Sequence, residues 1–210
     1  MAEMSMNKAI HGAFRRDLTR FITALSSFPP GDVKRGKQIA AAWSNFEDQL
    51  TQHHTGELEI AWPALTAVGA SPSLLATMNA EHDLMAAAIV EVSAAVPALK
   101  RTASLDDVST ARAAFERLQA VTVAHLEHEE AKLEPVYLEK KDTPEIKAMG
   151  RAFGKVSPAR GGQFFAWVTD GASSDEMAAV TRDVPGPVLA VIGGVFGRGY
   201  RKDIAPVWKN

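Results

Sequence analysis

The stretch His53-His54-Thr55-Gly56-Glu57, continuing Leu58-Glu59-Ile60-Ala61-Trp62-Pro63, decides how this chain reads. It ends a run in which apolar or ligand-type residues recur every three or four positions: Ile39, Trp43, Phe46, Leu50, His53, Glu57, Ile60. Alternating steps of three and four trace the ~3.5-residue seam along which helices of a bundle pack. A seam position faces the interior. An imidazole and a carboxylate one turn apart on it lie on the same face and reach the same region.

Three more seams flank this one. They read His11, Phe14, Leu18, Phe21, Leu25; then Leu75, Met78, His82, Met85, Ile89, Val92, Val96; then Ala111, Phe115, Leu118, Thr122, His125, Glu129. Pro29-Pro30-Gly31-Asp32 separates the first two, and Gly69 to Ser73 the next pair. Ser104 reads as the N-cap of the last helix, with Asp106 and Asp107 in its first turn. Short connections favour antiparallel neighbours. The expected fold is all-α, an up-down-up-down four-helix bundle over residues 1–140.

Polar residues interrupt the apolar seams at His11, His53, Glu57, His82, His125 and Glu129. A lone buried carboxylate costs several kcal/mol unless it is paired or binds a cation. The set also repeats. Both His53 and His125 open the pattern His-x3-Glu-x5-Pro, ending at Pro63 and Pro135. His11 precedes His53 by 42 residues, and His82 precedes His125 by 43. Two similar halves thus place four imidazoles and two carboxylates around a pseudo-two-fold axis. Each of two metals would take two His nitrogens, with Glu57 and Glu129 bridging. Such donors suit iron, zinc, copper or manganese. The bland alternative is a polar core satisfied without metal, which two matched copies of the motif make the weaker reading.

Composition narrows the field. The chain has 210 residues, no cysteine, and a formal net charge of -2. Disulfides, cysteine zinc sites, iron–sulfur clusters and a cysteine nucleophile are excluded. A chain-wide basic footprint for nucleic acid is absent, so no nucleic-acid partner is expected. None of the six His has a Glu three residues before it, against a ferritin-like site, and His-Glu-x-x-His is missing too. Met1 to Lys8 is polar, and the apolar stretch Val184 to Phe196 is short of the ~20 residues of a membrane span. The expectation is a cytoplasmic protein without a membrane partner.

With these residues in place, the chain resembles the bacterial branch of the hemerythrin-like, HHE cation-binding family. The likeness lies in His53-His54-Thr55-Gly56-Glu57 with Trp62-Pro63, and in Glu81-His82, and spans roughly residues 5–140. It implies two iron ions joined by an oxide, hydroxide or water bridge, with zinc or manganese less favoured. It implies as ligands His11, His53, Glu57, His82, His125 and Glu129. The oxygen-carrying members have a further His where this chain has Met78, and a last carboxylate five rather than four residues after the last His. A five-His carrier site is not reproduced. The resemblance therefore points to sensing or reacting with dioxygen, peroxide or nitric oxide, in oxidative or nitrosative stress handling. Catalase-like turnover is one version; an oxygen or iron sensor without turnover is the alternative.

The remaining residues receive secondary roles. His54 directly follows His53, so it points about 100° away and is expected outside the ligand set, the alternative being a flanking or substituted ligand. His54, Met78, Glu81 and Glu130 are candidates to support the site from behind, with Met78 and Met85 also reading as core filler. His128, Arg15 and Asp17 read as solvent-facing. Residues 141–210 form a Gly-rich, mildly basic extension, with ten Lys/Arg against seven Asp/Glu. Helices are expected from Thr143-Pro144 to Phe153, from Ser157-Pro158 towards Gly171, from Ser174, and over the apolar segment Pro187 to Tyr200. The extension packs on the bundle or makes an interaction surface, such as a homodimer contact.

Overall fold

The computed structural model describes residues 4–209; Met1 to Glu3 and Asn210, at the outer ends of the two segments read above, lie outside the description. It is built of helices, and no β-strand occurs among the described residues. The bundle consists of α1 (Met6–Ser26), α2 (Val33–Gly56), α4 (Pro72–Arg101) and α5 (Leu105–Lys132). A π-helical turn, Glu57–Ala61, carries α2 without a break into α3 (Trp62–Ala67). The short α6 (Glu134–Lys140) follows α5.

Local chemistry sets the ends. Ser5 accepts a hydrogen bond from the Lys8 amide and opens α1. Ser104 and Asp107 form a reciprocal capping box at the start of α5. The two prolines of the repeated motif act differently. Pro63, which has no N–H to give the carbonyl four residues back, follows a π turn, whereas Pro135 follows a break at Leu133. The seam residues Phe14, Leu18, Phe21, Ile39, Phe46, Leu50, Met85, Val92, Leu99, Phe115 and Leu118 form one core. A second apolar cluster, around Trp62, Leu65, Leu75, Met78, Leu133 and Ile146, packs beside the motif turn. By length and composition α4 could cross a membrane, but it buries the stripe Leu75, Met78, His82, Met85 and Val92 within the bundle.

The extension is α7 (Pro144–Phe153), α8 (Pro158–Val168), α9 (Ser174–Asp183) and α10 (Gly186–Phe196), then a π turn (Tyr200–Ile204) and a 3-10 turn (Ala205–Trp208). Ser173, one residue before the expected start, caps α9. The helix from Pro158 stops at Val168, short of Gly171, which lies in the following turn at φ 80°. α8, α9 and the two closing turns pack against α1 and α2, α7 packs against α3 and the motif turn, and α10 against α8; Trp167, Tyr200 and Val207 belong to the bundle's own core. The contact is close. A Cβ on Gly12 would lie 1.7 Å from Glu176 Oε1 of α9, and one on Gly56 would lie 2.7 Å from Phe153 Cε1 of α7. Gly12 adjoins His11, and Gly56 adjoins Glu57.

Two residues expected on a solvated face are not there. Asp17 is 1% exposed and accepts a 2.8 Å hydrogen bond from Trp167 Nε1. Arg20 donates to Asp17 and Asp170, each at 3.1 Å, and Arg16 donates to the Trp167 carbonyl at 3.0 Å. Burial pushes the Asp17 carboxyl above its ordinary range, against the pull of Arg16 and the Trp167 N–H. Arg15 donates to Glu130 at 2.7 Å. Arg20 is one turn away, but Trp167, the partner from the extension, stands 150 residues further along, beyond any helical periodicity. Asp17→Ala leaves the fully buried Trp167 N–H without its acceptor and Arg20 without one partner. Urea denaturation should show a loss of about 2–4 kcal/mol; an unchanged midpoint would show that the extension docks without this contact.

Candidate metal centre

Four helices converge on one polar region. His11 comes from α1, His53 and His54 from the last turn of α2, His82 from α4, and His125 and Glu129 from α5. Glu57, at the start of the π turn, lies between them. One oxygen, Oε1, is 3.0 Å from His53 Nε2, and the other, Oε2, is 3.2 Å from His82 Nε2. Two groups result, each with donor atoms within 4.8 Å of one another: His11, His53, Glu57 and Glu129; and His54, Glu57, His82 and His125. Glu57 is common to both. It is 4% exposed, and His11 is wholly buried.

Two expectations change here. His54 stands inside the second group, its ring stacked on that of His82 with centroids 4.1 Å apart and planes 19° from parallel. The ~100° between neighbouring helical residues does not turn it away from the site. It aims His53 and His54 at two groups on either side of Glu57. Glu129, expected to bridge, belongs to the first group alone. Its Oε2 is 3.1 Å from His11 Nε2, and its Oε1 accepts a 3.1 Å hydrogen bond from Asn7 Nδ2. Asn7 thus fixes one oxygen, and the expected two-fold symmetry is broken. One group has two imidazoles and two carboxylates, the other three and one.

Outer contacts orient the rings. Glu81 accepts from His125 Nδ1 at 2.9 Å and from His128 Nδ1 at 2.7 Å. His128 is therefore a partner of Glu81 rather than a free surface residue. Glu130 accepts from His11 Nδ1 at 2.9 Å while Arg15 holds the same oxygen. Such carboxylate contacts fix which ring nitrogen faces a metal and raise its basicity. Met78 sits fully buried in the apolar cluster with Trp62, one turn before His82. Trp62 lies nearly parallel to His82, with ring centroids 6.0 Å apart, and donates to Asn79 Oδ1 at 2.8 Å. On the other side Phe14 contacts both His53 and Trp167, so the extension backs the site through one ring.

Whether a cation fits can be asked of the atoms themselves. His11 Nε2, His53 Nε2, His54 Nε2, His82 Nδ1, both oxygens of Glu57 and Oε2 of Glu129 are buried without a hydrogen-bond partner. Two pairs among them lie 3.0–3.1 Å apart, His53 Nε2 to Glu57 Oε1 and His11 Nε2 to Glu129 Oε2. Buried polar atoms left without a partner are costly, and a cation coordinated by nitrogen and oxygen removes that cost. The donor set fits a metal. Local electrostatics agree: burial and the neighbouring His82 push the His54 imidazole down to about 2, leaving it neutral and able to coordinate. Burial would raise the Glu57 carboxyl, but His53 and His82 overcome this and hold it well below its ordinary range.

The family model of the Hemerythrin HHE cation binding domain matches residues 5–137. The chain belongs to this family. The matched region takes in the bundle, the motif turn and the first half of α6, and leaves α7 to α10 outside it. No curated protein and no solved structure matches the chain. The HHE domain binds cations, and its candidate donors here are the two groups that share Glu57.

The proton balance predicts how the chelator-treated protein responds to pH. His54 falls to about 2 and burial also lowers His125, from an ordinary 6.5. The unfolded chain then binds more protons, so stability falls as pH drops below 6.5. His11 behaves oppositely: burial lowers it, but Glu129 and Glu130 outweigh that and raise it to about 9. Its contribution is whole below 6.5 and lost as pH climbs through 9. Tm of the chelated protein should therefore peak near neutrality and fall on both sides. A flat profile from pH 5 to 9 would contradict these assignments.

Proposed function

We propose that this chain holds two iron ions in the paired groups and uses them to bind or react with dioxygen, hydrogen peroxide or nitric oxide. The observation that carries the reading is Glu57, a buried carboxylate with one oxygen directed to each of two histidine groups. His11, His53 and Glu129 would hold one ion, and His54, His82 and His125 the other, with Glu57 serving both. Mixed imidazole and carboxylate donors suit iron, and zinc and manganese are the competing occupants. When bound, two irons sharing a carboxylate supply paired one-electron chemistry towards a small oxidant or radical.

The rest of the site does what such a centre needs. Glu81 and Glu130 hold His125 and His11 in fixed orientation. Trp62, Met78, Leu75 and Leu133 close one side with apolar surface and keep water out. Most of the donors are buried, but His53 and His54 are half-buried and lie beside Gly56 and the exposed ring of Phe153.

Metal analysis of protein grown in iron-replete medium tests the assignment. Two irons per chain are expected in the native protein. Glu57→Ala should lose both, while His54→Ala and Glu129→Ala should each retain about one. Zinc alone, or two irons retained in Glu57→Ala, would sink the proposal. Oxygen release on adding peroxide to the iron-loaded protein would mark catalase-like turnover. Spectral change without release would mark a sensor or binding module.

A further inference from the structure

We propose that a cleft between α1, the start of α2 and the closing 3-10 turn binds a small oxyanion, a phosphate or a carboxylate. The cleft encloses about 160 Å³. That is well above the ~30 Å³ of a water and close to the ~150 Å³ that takes a benzene-sized molecule. It lies apart from the metal groups. Arg20, on its wall, stands nine residues along α1 from His11, about 13 Å at ~1.5 Å per residue. Trp208 closes the other side. Its ring meets Phe21 edge-on with centroids 5.0 Å apart, and the Arg20 guanidinium carbon stands 5.7 Å from its centre. The indole is therefore held in place, yet its Nε1 is buried and has no hydrogen-bond partner among the described residues. A buried N–H without an acceptor costs free energy that a ligand oxygen would return.

The rest of the lining sets the charge of that ligand. Arg20, Arg35 and Trp208 line the cleft with the hydroxyls of Thr19, Thr23 and Ser27, and no carboxylate lines it. Thr19 and Ser27 give their protons to the carbonyls of Arg15 and Thr23, so Thr23 is the hydroxyl left to donate. Arg20 is answered by Asp17 and Asp170. Arg35 is not answered. Its Nη1 donates to the Val207 carbonyl at 2.8 Å and to Gln38 Oε1 at 3.1 Å, which ties it to the turn that carries Trp208. Asp32 caps α2 through the Arg35 amide and does not line the cleft. Among the described residues the Arg35 guanidinium has no ion pair, and its Nε and Nη2 have no hydrogen-bond partner. A water could accept from the indole but would leave that charge unmatched. A planar guanidinium fork beside an indole N–H and a hydroxyl suits the oxygens of a phosphate or a carboxylate.

Magnetic resonance of the indole N–H groups in the full chain tests this. The chain has four tryptophans, and Trp208→Phe identifies the Trp208 signal by its loss. Titration with potassium phosphate at constant ionic strength should move that signal and saturate in the millimolar range. The Trp62 signal, beside the metal groups, should stay in place. Potassium acetate separates the two sources: a response to phosphate alone assigns a phosphate group, and a tighter response to acetate assigns a carboxylate. Arg35→Gln should weaken binding about tenfold, as loss of one charge-assisted hydrogen bond does, with metal content unchanged. Arg35→Lys, which keeps the charge but not the fork, should fall between. A Trp208 signal that ignores both anions, or that moves equally with chloride, would overturn the proposal, and the native titration decides this whether or not Arg35→Gln folds. Undiminished affinity in a folded Arg35→Gln would overturn it too.

Discussion

A single buried carboxylate organises this molecule. Glu57 brings a negative charge into the middle of a helical bundle, where hydration is lost and a lone ion is prohibitively unstable. Everything around it answers that charge. His53 and His82 approach its two oxygens from different helices. Further imidazoles from α1 and α5 complete a shell whose own lone pairs then need a cation. The apolar seams do the opposite work: they hold the four helices in register so that the donors meet. Neither half suffices alone, because the core would close on an unpaired charge without the donors, and the donors would never converge without the core.

The extension is tied to this arrangement by a short relay of contacts. Asp17 on α1 accepts from Trp167 on α8, Trp167 packs on Phe14, and Phe14 lies against His53. Glu176 and Phe153 press on Gly12 and Gly56, each next to a motif residue. Residues outside the matched family region thus brace two of the ligand-bearing turns from behind. This accounts for an otherwise odd feature, a buried aspartate on α1 that belongs to neither donor group.

Much of this could be read from sequence, for identifiable reasons. The four seams, the caps at Ser104 and Ser157 and the polar interruptions are local patterns with a fixed period, and residues of one helix report each other's direction. What escaped was non-local or depended on an assumed symmetry. Asp17 looked solvated because Trp167, which bonds it from the extension, lies beyond any periodic pattern. His54 looked misdirected because the reading allowed one target per helix, while the structure sets two targets on either side of Glu57. Glu129 looked equivalent to Glu57 by spacing, but Asn7, near the chain's start, takes one of its oxygens. A pair of adjacent histidines followed by a glutamate three residues on was the clue that both imidazoles could serve.

The π turn from Glu57 to Ala61 has a consequence for how this family member can change. A π turn holds one more residue than an α turn. Loss of any single residue between 58 and 61 would relax the segment to an ordinary helix. The helix that follows would keep its direction, because a π turn takes up its extra residue within about the rotation of one α turn. Trp62 would stay against His82 and α3 against α7. The change would fall on residues 57–61 themselves, and so on the backbone that carries Glu57 between the two donor groups.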